Sequence, residues 1–317
     1  MRLDRKQLTN IANENGFIRD TLEKVFRLVE ILKYINSHPL MKDSLTLKGG
    51  TAINLVVFNL PRLSVDLDYD YCKITEKDIM LMDRQIIFDD INKYMISEGY
   101  LLLPNSKEHH ALHSMIYGYS NTAGMNDNIK IEINYSLRNH IFTPTLRKIN
   151  ANGLFKDFET LCLINTELFG SKIKALLDRT TPRDLYDIDN MIYNTIFSGE
   201  DELKLLRKSV VFYMAIGNKV VPNGINPDII DDLTWHRIKL ELNPVIRKTE
   251  KFNLDSTKQR VKNFLSDHMK LDEQDLLFLE AFRHKEYRPE LLFDDDAIIN
   301  RIESHPMALW KCSTFAK

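Results

Sequence analysis

Leu22, Val25, Phe26, Val29, Leu32 and Ile35 recur at the interval of one helical face, which predicts helical structure from residue 1 to about 42. Further along, the period changes. Ile129, Ile131 and Ile133 alternate with Lys130, Glu132 and Asn134, the period of a half-buried strand, and strands are expected over about 112–120 and 129–136. Ile79, Met82, Ile86, Ile87, Ile91, Tyr94 and Met95 predict an amphipathic helix over roughly 76–98, with Gly99 as its terminator. Ahead of it lie a strand and glycine turn at Leu47-Lys48-Gly49-Gly50-Thr51, opening a helix, and a strand carrying Asp66-Leu67-Asp68. From about 158 onward the pattern is mainly helical. The change from mixed to helical near 145–160 predicts an α+β chain with an α/β lobe over 1–150 and a mainly helical lobe over 151–317. No repeat, low-complexity stretch or flexible linker interrupts it.

Composition narrows the functional classes. At 317 residues, 44% apolar and 28% charged, the chain has ample material for a globular core. A net charge of -2 excludes a global polycationic mode of nucleic-acid binding, so any RNA contact must be local. Cys72, Cys162 and Cys312 are widely spaced and form no CxxC pair, which supports neither a disulfide framework nor a zinc knuckle and fits a reducing cytoplasm. The sequence turns charged at Arg2 and holds no apolar run of the roughly 20 residues a membrane helix needs, so neither export nor a membrane partner is expected.

The candidate chemistry starts at the two short strands. Side chains at i and i+2 of a strand share a face, so Asp66 and Asp68 converge while Leu67 packs beneath them. Two carboxylates at roughly 4 Å repel by about 1 kcal/mol in water and about 4 kcal/mol at an effective dielectric of 20, which makes a divalent cation their natural partner. Gly49 and Gly50 let backbone approach a ligand closely, and the helix they open offers free amides to a phosphate. A plain tight turn and a solvated strand end are the ordinary alternatives for these two features. His109, His110 and His113 lack a companion acid or cysteine at ligand spacing and read as loop or strand edge. Phe155, Phe158, Phe169 and Trp310 read as core.

A second cluster lies in the helical half. Lys172 and Arg179 stand at i and i+7 of one helix and share a face. Thr181 followed by Pro182 starts the next helix, which carries Asp184 and Asp187 one turn apart. These acids suit either a functional role or a structural cap with an Arg183–Asp187 pair.

Taken together, Lys48-Gly49-Gly50-Thr51-Ala52, Leu60-Pro61-Arg62-Leu63-Ser64-Val65-Asp66-Leu67-Asp68, Lys172 to Arg179, Arg183-Asp184-Leu185-Tyr186-Asp187 and His305-Pro306-Met307-Ala308-Leu309-Trp310-Lys311 resemble the AbiEii/AbiGii nucleotidyltransferase toxin family, MenT toxins included, of the DNA polymerase beta-like superfamily. The resemblance implies a bilobed fold, with a mixed-sheet nucleotidyltransferase lobe and a mainly helical C-terminal lobe completing an active-site cleft. It implies that Asp66, Asp68 and Glu132 bind Mg2+ or Mn2+ and that Lys172, Asp184 and Asp187 are catalytic. Gly49, Gly50, Thr51, Ser64, Lys172, Arg179 and Arg183 would bind the NTP. Ser64 matches a serine that is phosphorylated in some relatives, and Thr51 stands where the wider superfamily has serine.

The implied activity is transfer of NMP from an NTP to RNA, a tRNA 3′ end, with release of pyrophosphate. The setting would be a toxin–antitoxin or phage-defence system with a cognate antitoxin protein or antitoxin-encoded repressor. Glu132 would complete the metal site or act as base, and Lys172 would offset charge on the leaving pyrophosphate. Two other functional classes stay open: a catalytically silent nucleotide-binding interaction module, and nucleotidyl transfer to a protein or small molecule.

Overall fold

The computed structural model describes residues 4–149, 151, 153–217 and 221–313, so Met1 to Leu3 of the expected first helix lie outside the described residues. The chain divides into two compact units. Unit 1 holds the residues up to Arg138, Pro144–Leu163 and Asn243–Glu250; unit 2 holds Asn139–Thr143, Ile164–Leu242 and the chain from Lys251 onward.

In unit 1 the N-terminal helical region is three helices, α1 (Arg5–Asn15), α2 (Arg19–Ser37) and α3 (Met41–Ser44). Gly16, at φ 74°, takes the left-handed conformation that closes α1. The whole apolar face predicted for α2, Leu22 to Ile35, is buried. Strands β1 (Leu45–Lys48), β2 (Asp66–Tyr71), β3 (Leu101–Leu102), β4 (Lys107–Glu108), β5 (Leu112–Ser120), β6 (Asn126–Asn134), β7 (Thr145–Lys148) and β8 (Glu159–Cys162) form one mixed sheet. Its order is β3-β5-β6-β2-β1-β8-β7, with β4 beside β5. Pairing of β2 is antiparallel to β1 and parallel to β6, which places β2 inside the sheet.

Helix α4 (Gly49–Ala52) continues into a π-helical turn, Ile53–Val57, before the chain reaches β2. Helix α5 (Lys77–Ser97) ends just before Gly99, at φ 86°. Its buried face is Met80, Asp83, Arg84, Ile87, Ile91 and Met95, whereas Ile79, Met82 and Ile86 from the predicted face are exposed. Asp83 and Arg84 can be buried because both are partnered: Asp83 accepts from Tyr71 Oη at 2.7 Å, and Arg84 donates to the carbonyls of His109 and His110. Residues 243–250 join unit 1 through the Arg62–Ile246 bridge and the Leu63 N to Val245 O bond of 2.7 Å.

Unit 2 comprises α6 (Asn165–Arg179), α7 (Pro182–Tyr193), α8 (Glu200–Gly217), α9 (Trp235–Arg237), α10 (Leu254–His268), α11 (Glu273–Arg283), α12 (Asp296–Ile302) and α13 (Pro306–Cys312). Helices α6 and α8 cross closely at Gly170, where a Cβ would stand 2.6 Å from Ser209 Cβ. The Asn139–Thr143 strap is fastened by the buried Glu167 carboxylate. It accepts from Ile141 N (3.0 Å), Phe142 N (3.1 Å) and Tyr213 Oη (2.7 Å). Phe169 is core as expected, but Phe155 and Phe158 are half-buried and Trp310 is 55% exposed. The short α13 buries Ala308 instead.

Candidate active site

Strand alternation puts Leu67, Tyr69 and Tyr71 into the core of unit 1 and sets Asp66, Asp68 and Asp70 on the opposite face. Sheet register then brings in the neighbours. Asp68 lies opposite Lys48 of β1 and opposite Glu132 of β6, so its carboxylate is flanked by one cation and one anion across the strands. Lys48 Nζ sits 2.5 Å from Asp70 Oδ1, and Lys130 Nζ sits 2.8 Å from Glu132 Oε2.

Desolvation pushes the Asp68 carboxyl up to about 6; Lys48 opposes the rise, Asp66 and Glu132 add to it, and Lys130 opposes it more weakly. Asp68 is therefore a strained anion. Three oxygen-donor residues on adjoining strands, one of them costly to ionise, form a donor set that suits a hard divalent cation. With Glu132 drawn to Lys130, however, the described residues include no group of three or more His, Cys, Asp or Glu gathered closely enough to hold a metal ion. The sequence-derived trio shares one face of the sheet without being closed around a point.

The glycine pair is explained by contacts. Gly49 has φ 67°, and a Cβ there would collide with Asp68 Oδ2. At Gly50 a Cβ would meet Arg62 Nη2 at 2.8 Å and Ser64 Oγ at 3.0 Å. The turn thus packs its bare backbone directly on the carboxylate strand. Thr51 is fully buried, and its hydroxyl donates to the Asp66 carbonyl and lies 3.0 Å from Ser64 Oγ. This hydroxyl ties the turn to β2. Ser64 is 9% exposed in the same contact.

The second cluster lies wholly in unit 2. Lys172 Nζ pairs with Asp184 Oδ1 at 2.8 Å and Asp187 Oδ2 at 2.7 Å, and all three residues are buried. Arg179 forks onto the same Asp184, Nε at 2.7 Å and Nη2 at 3.0 Å, with its side chain 61% exposed. Burial alone would raise the Asp184 carboxyl, but Lys172 and then Arg179 outweigh it and hold it well below the usual carboxylate range. The two cations do share a face, and they converge on one acid. Thr181 caps α7 as its sequence predicts, accepting from Asp184 N at 3.3 Å. The Lys172 ammonium is balanced by these two carboxylates of α7. Arg183 is half-buried on the first turn of α7.

The same balancing affects the local basic surface that RNA would need. Lys130, Lys172, Lys174 and Arg179 each form an ion pair with an acid of their own unit. Sequence reading quotes Lys48 and Arg62 in its motifs but gives no role to them or to Asp70. Period two from Asp66 and Asp68 would have found Asp70. The roles of Lys48 and the 2%-exposed Arg62 come from cross-strand register and from packing on Gly50, which a linear pattern does not carry.

A family model described as nucleotidyl transferase AbiEii toxin, type IV TA system, matches residues 30–286. No curated protein matches the chain. Among solved structures, MenT4, a nucleotidyltransferase toxin from Mycobacterium tuberculosis H37Rv, is similar with a TM-score of 0.64 at 15% identity, over 97% of this chain and 99% of that one.

Proposed function

Because this chain belongs to the AbiEii nucleotidyltransferase toxin family of type IV toxin–antitoxin systems, we propose that it transfers NMP from an NTP to an RNA acceptor, a tRNA 3′ end, with the help of Mg2+ or Mn2+. The observation that carries the reading is the carboxylate face of β2 and β6 lying directly against the Gly49 turn. Asp66, Asp68 and Glu132 would hold the cation. A bound divalent ion would supply charge neutralisation at the triphosphate and acidify the attacking hydroxyl.

The chain's own residues do the rest. Gly49 and Gly50, packed against Asp68, Arg62 and Ser64, would offer backbone amides to the phosphates at the opening of α4. Asp70 holds the Lys48 ammonium beside Asp68, and Lys48 favours the ionised form of that carboxyl. In the reaction the acceptor oxygen forms a bond to the α-phosphorus, the bond to the β-phosphate oxygen breaks, and pyrophosphate leaves. Glu132 would either complete the metal site or take the proton from the acceptor hydroxyl. Lys172, fixed by Asp184 and Asp187, and Arg179, fixed by Asp184, would act on the polyphosphate as held donors rather than as free charges.

Among the described residues no helix is long and apolar enough to cross a membrane. The proposed setting is the cytoplasm and phage defence, with a cognate antitoxin as the type IV toxin–antitoxin family suggests. Incubation with each α-labelled NTP and bulk RNA, with and without Mg2+, tests the activity. Label should enter an RNA band with matching pyrophosphate release. Nucleotide binding with no release from any NTP would instead support a silent interaction module.

A further inference from the structure

Unit 2 carries an aromatic surface that the proposed chemistry does not use, at α9. Trp235 is 47% exposed, whereas tryptophan is on average a strongly buried residue. Its ring meets Phe252 edge-to-face, 6.4 Å between centroids at 80°, and Phe252 in turn meets Tyr186 at 6.1 Å. Tyr186 lies in α7 between Asp184 and Asp187, the acids that hold Lys172. The exposed indole is therefore backed by a chain of rings that reaches α7, the helix that also carries Asp184 and Asp187.

A second link ties α9 to the same place. Arg237 donates from Nη1 to the Thr180 carbonyl at 2.8 Å, and its guanidinium also feels the charge of Asp184. Thr180 sits between α6 and α7 at φ 46°, a left-handed conformation that is strained for a β-branched residue. The Trp235 helix thus pins the turn that joins Arg179 to Asp184.

We infer that Trp235 is a stacking platform for a nucleobase, tied through Arg237 to the turn that follows Arg179 so that a base rests on the indole while its phosphates reach the exposed Arg179 guanidinium. A half-exposed, ring-backed indole on an element fastened to the Arg179–Asp184 turn offers a π face for the base and a fixed donor for the phosphate, the combination that binds nucleotides with little base preference. This rests on the proposed nucleotidyl transfer. The base belongs either to the incoming NTP or to the acceptor's terminal nucleotide, and both present the same chemistry.

The sequence has two tryptophans, so Trp310→Phe in the full chain leaves Trp235 as the sole indole reporter. That protein is titrated with ATP, GTP, CTP and UTP, with a short RNA ending in a free 3′ hydroxyl, and with tripolyphosphate, which has no base. Saturable quenching by an NTP identifies the donor base, and quenching by the RNA identifies the acceptor base; tripolyphosphate should quench nothing. Trp235→Ala should raise KM for the quenching partner about 5- to 150-fold, the equivalent of about 1–3 kcal/mol of stacking, and Trp235→Phe should restore most of it. The inference is overturned if no NTP or RNA quenches, if tripolyphosphate quenches equally, or if Trp235→Ala keeps wild-type KM for both substrates. Failure of the wild-type protein to transfer any NMP would overturn the functional reading instead, while quenching would still report on the platform.

Discussion

At Asp68 the fold holds a carboxylate where charge is costly, and the consequence is a pH dependence of defined sign. Its folded value of about 6 exceeds the ordinary 3.8, so the folded chain binds the proton more tightly than the unfolded one. The associated stability is fully present below about pH 4 and is lost as pH rises through 6. Asp68→Asn should therefore stabilise the metal-free protein at pH 7, by on the order of 1–3 kcal/mol, and flatten the dependence between pH 4 and 6. Urea unfolding across that range checks it; an unchanged slope would mean that Asp68 ionises freely. Gly49→Ala faces both a positive φ and a collision with Asp68 Oδ2. The conformation alone costs about 1–2 kcal/mol, and activity should fall further because Asp68 must shift. A denaturation midpoint and a transfer assay on the same variant separate the two effects. Lys172→Ala would leave Asp184 and Asp187 buried with their shared cation gone, a loss of roughly 3–5 kcal/mol, so it should lower the melting temperature as well as turnover. Normal melting in that variant would show the pair to be weakly coupled. From sequence, Lys172 and Arg179 read as two cations on one face, because spacing shows which face a residue takes but not that two acids of the following helix close on Lys172.

Helix α5 shows how far an element can be read from its pattern. Its extent was legible from periodicity and from Gly99, and Ile87, Ile91 and Met95 of the predicted face are buried, but Asp83 and Arg84 occupy core positions that hydrophobicity assigns to solvent. Ile87→Ala should cost about 2–5 kcal/mol, whereas Met82→Lys, on the exposed side, should stay within about 0.5 kcal/mol. Chemical denaturation of the two variants distinguishes the faces. Strands β5 and β6 were the clearest elements in the sequence, since Ile129, Ile131 and Ile133 alternate cleanly and all are fully buried. Strand β8 was hidden. It has four residues and pairs in parallel with β1, a partner far upstream, and nothing in a local period announces such a bond.

For the whole molecule, the chain passes between the two units several times, with 139–143 in unit 2 and 144–163 and 243–250 in unit 1. A single change of periodicity near 145–160 cannot report excursions this short, which are fixed by the Glu167 clasp and the Arg62–Ile246 bridge. The shared face of Asp66 and Asp68 was more legible than the topology, because it follows from strand alternation alone. Their counterions were less so, because ion pairing depends on neighbours brought in by the fold. The central claim is that the carboxylate face of unit 1 drives nucleotidyl transfer. It is tested most directly by Mg2+-dependent incorporation of α-labelled NTP into RNA by the wild-type protein and by Asp66→Ala, each compared per folded molecule. The account predicts labelled RNA and stoichiometric pyrophosphate from the wild type, and from Asp66→Ala a protein that melts normally and transfers nothing. Wild-type incorporation by Asp66→Ala would contradict it.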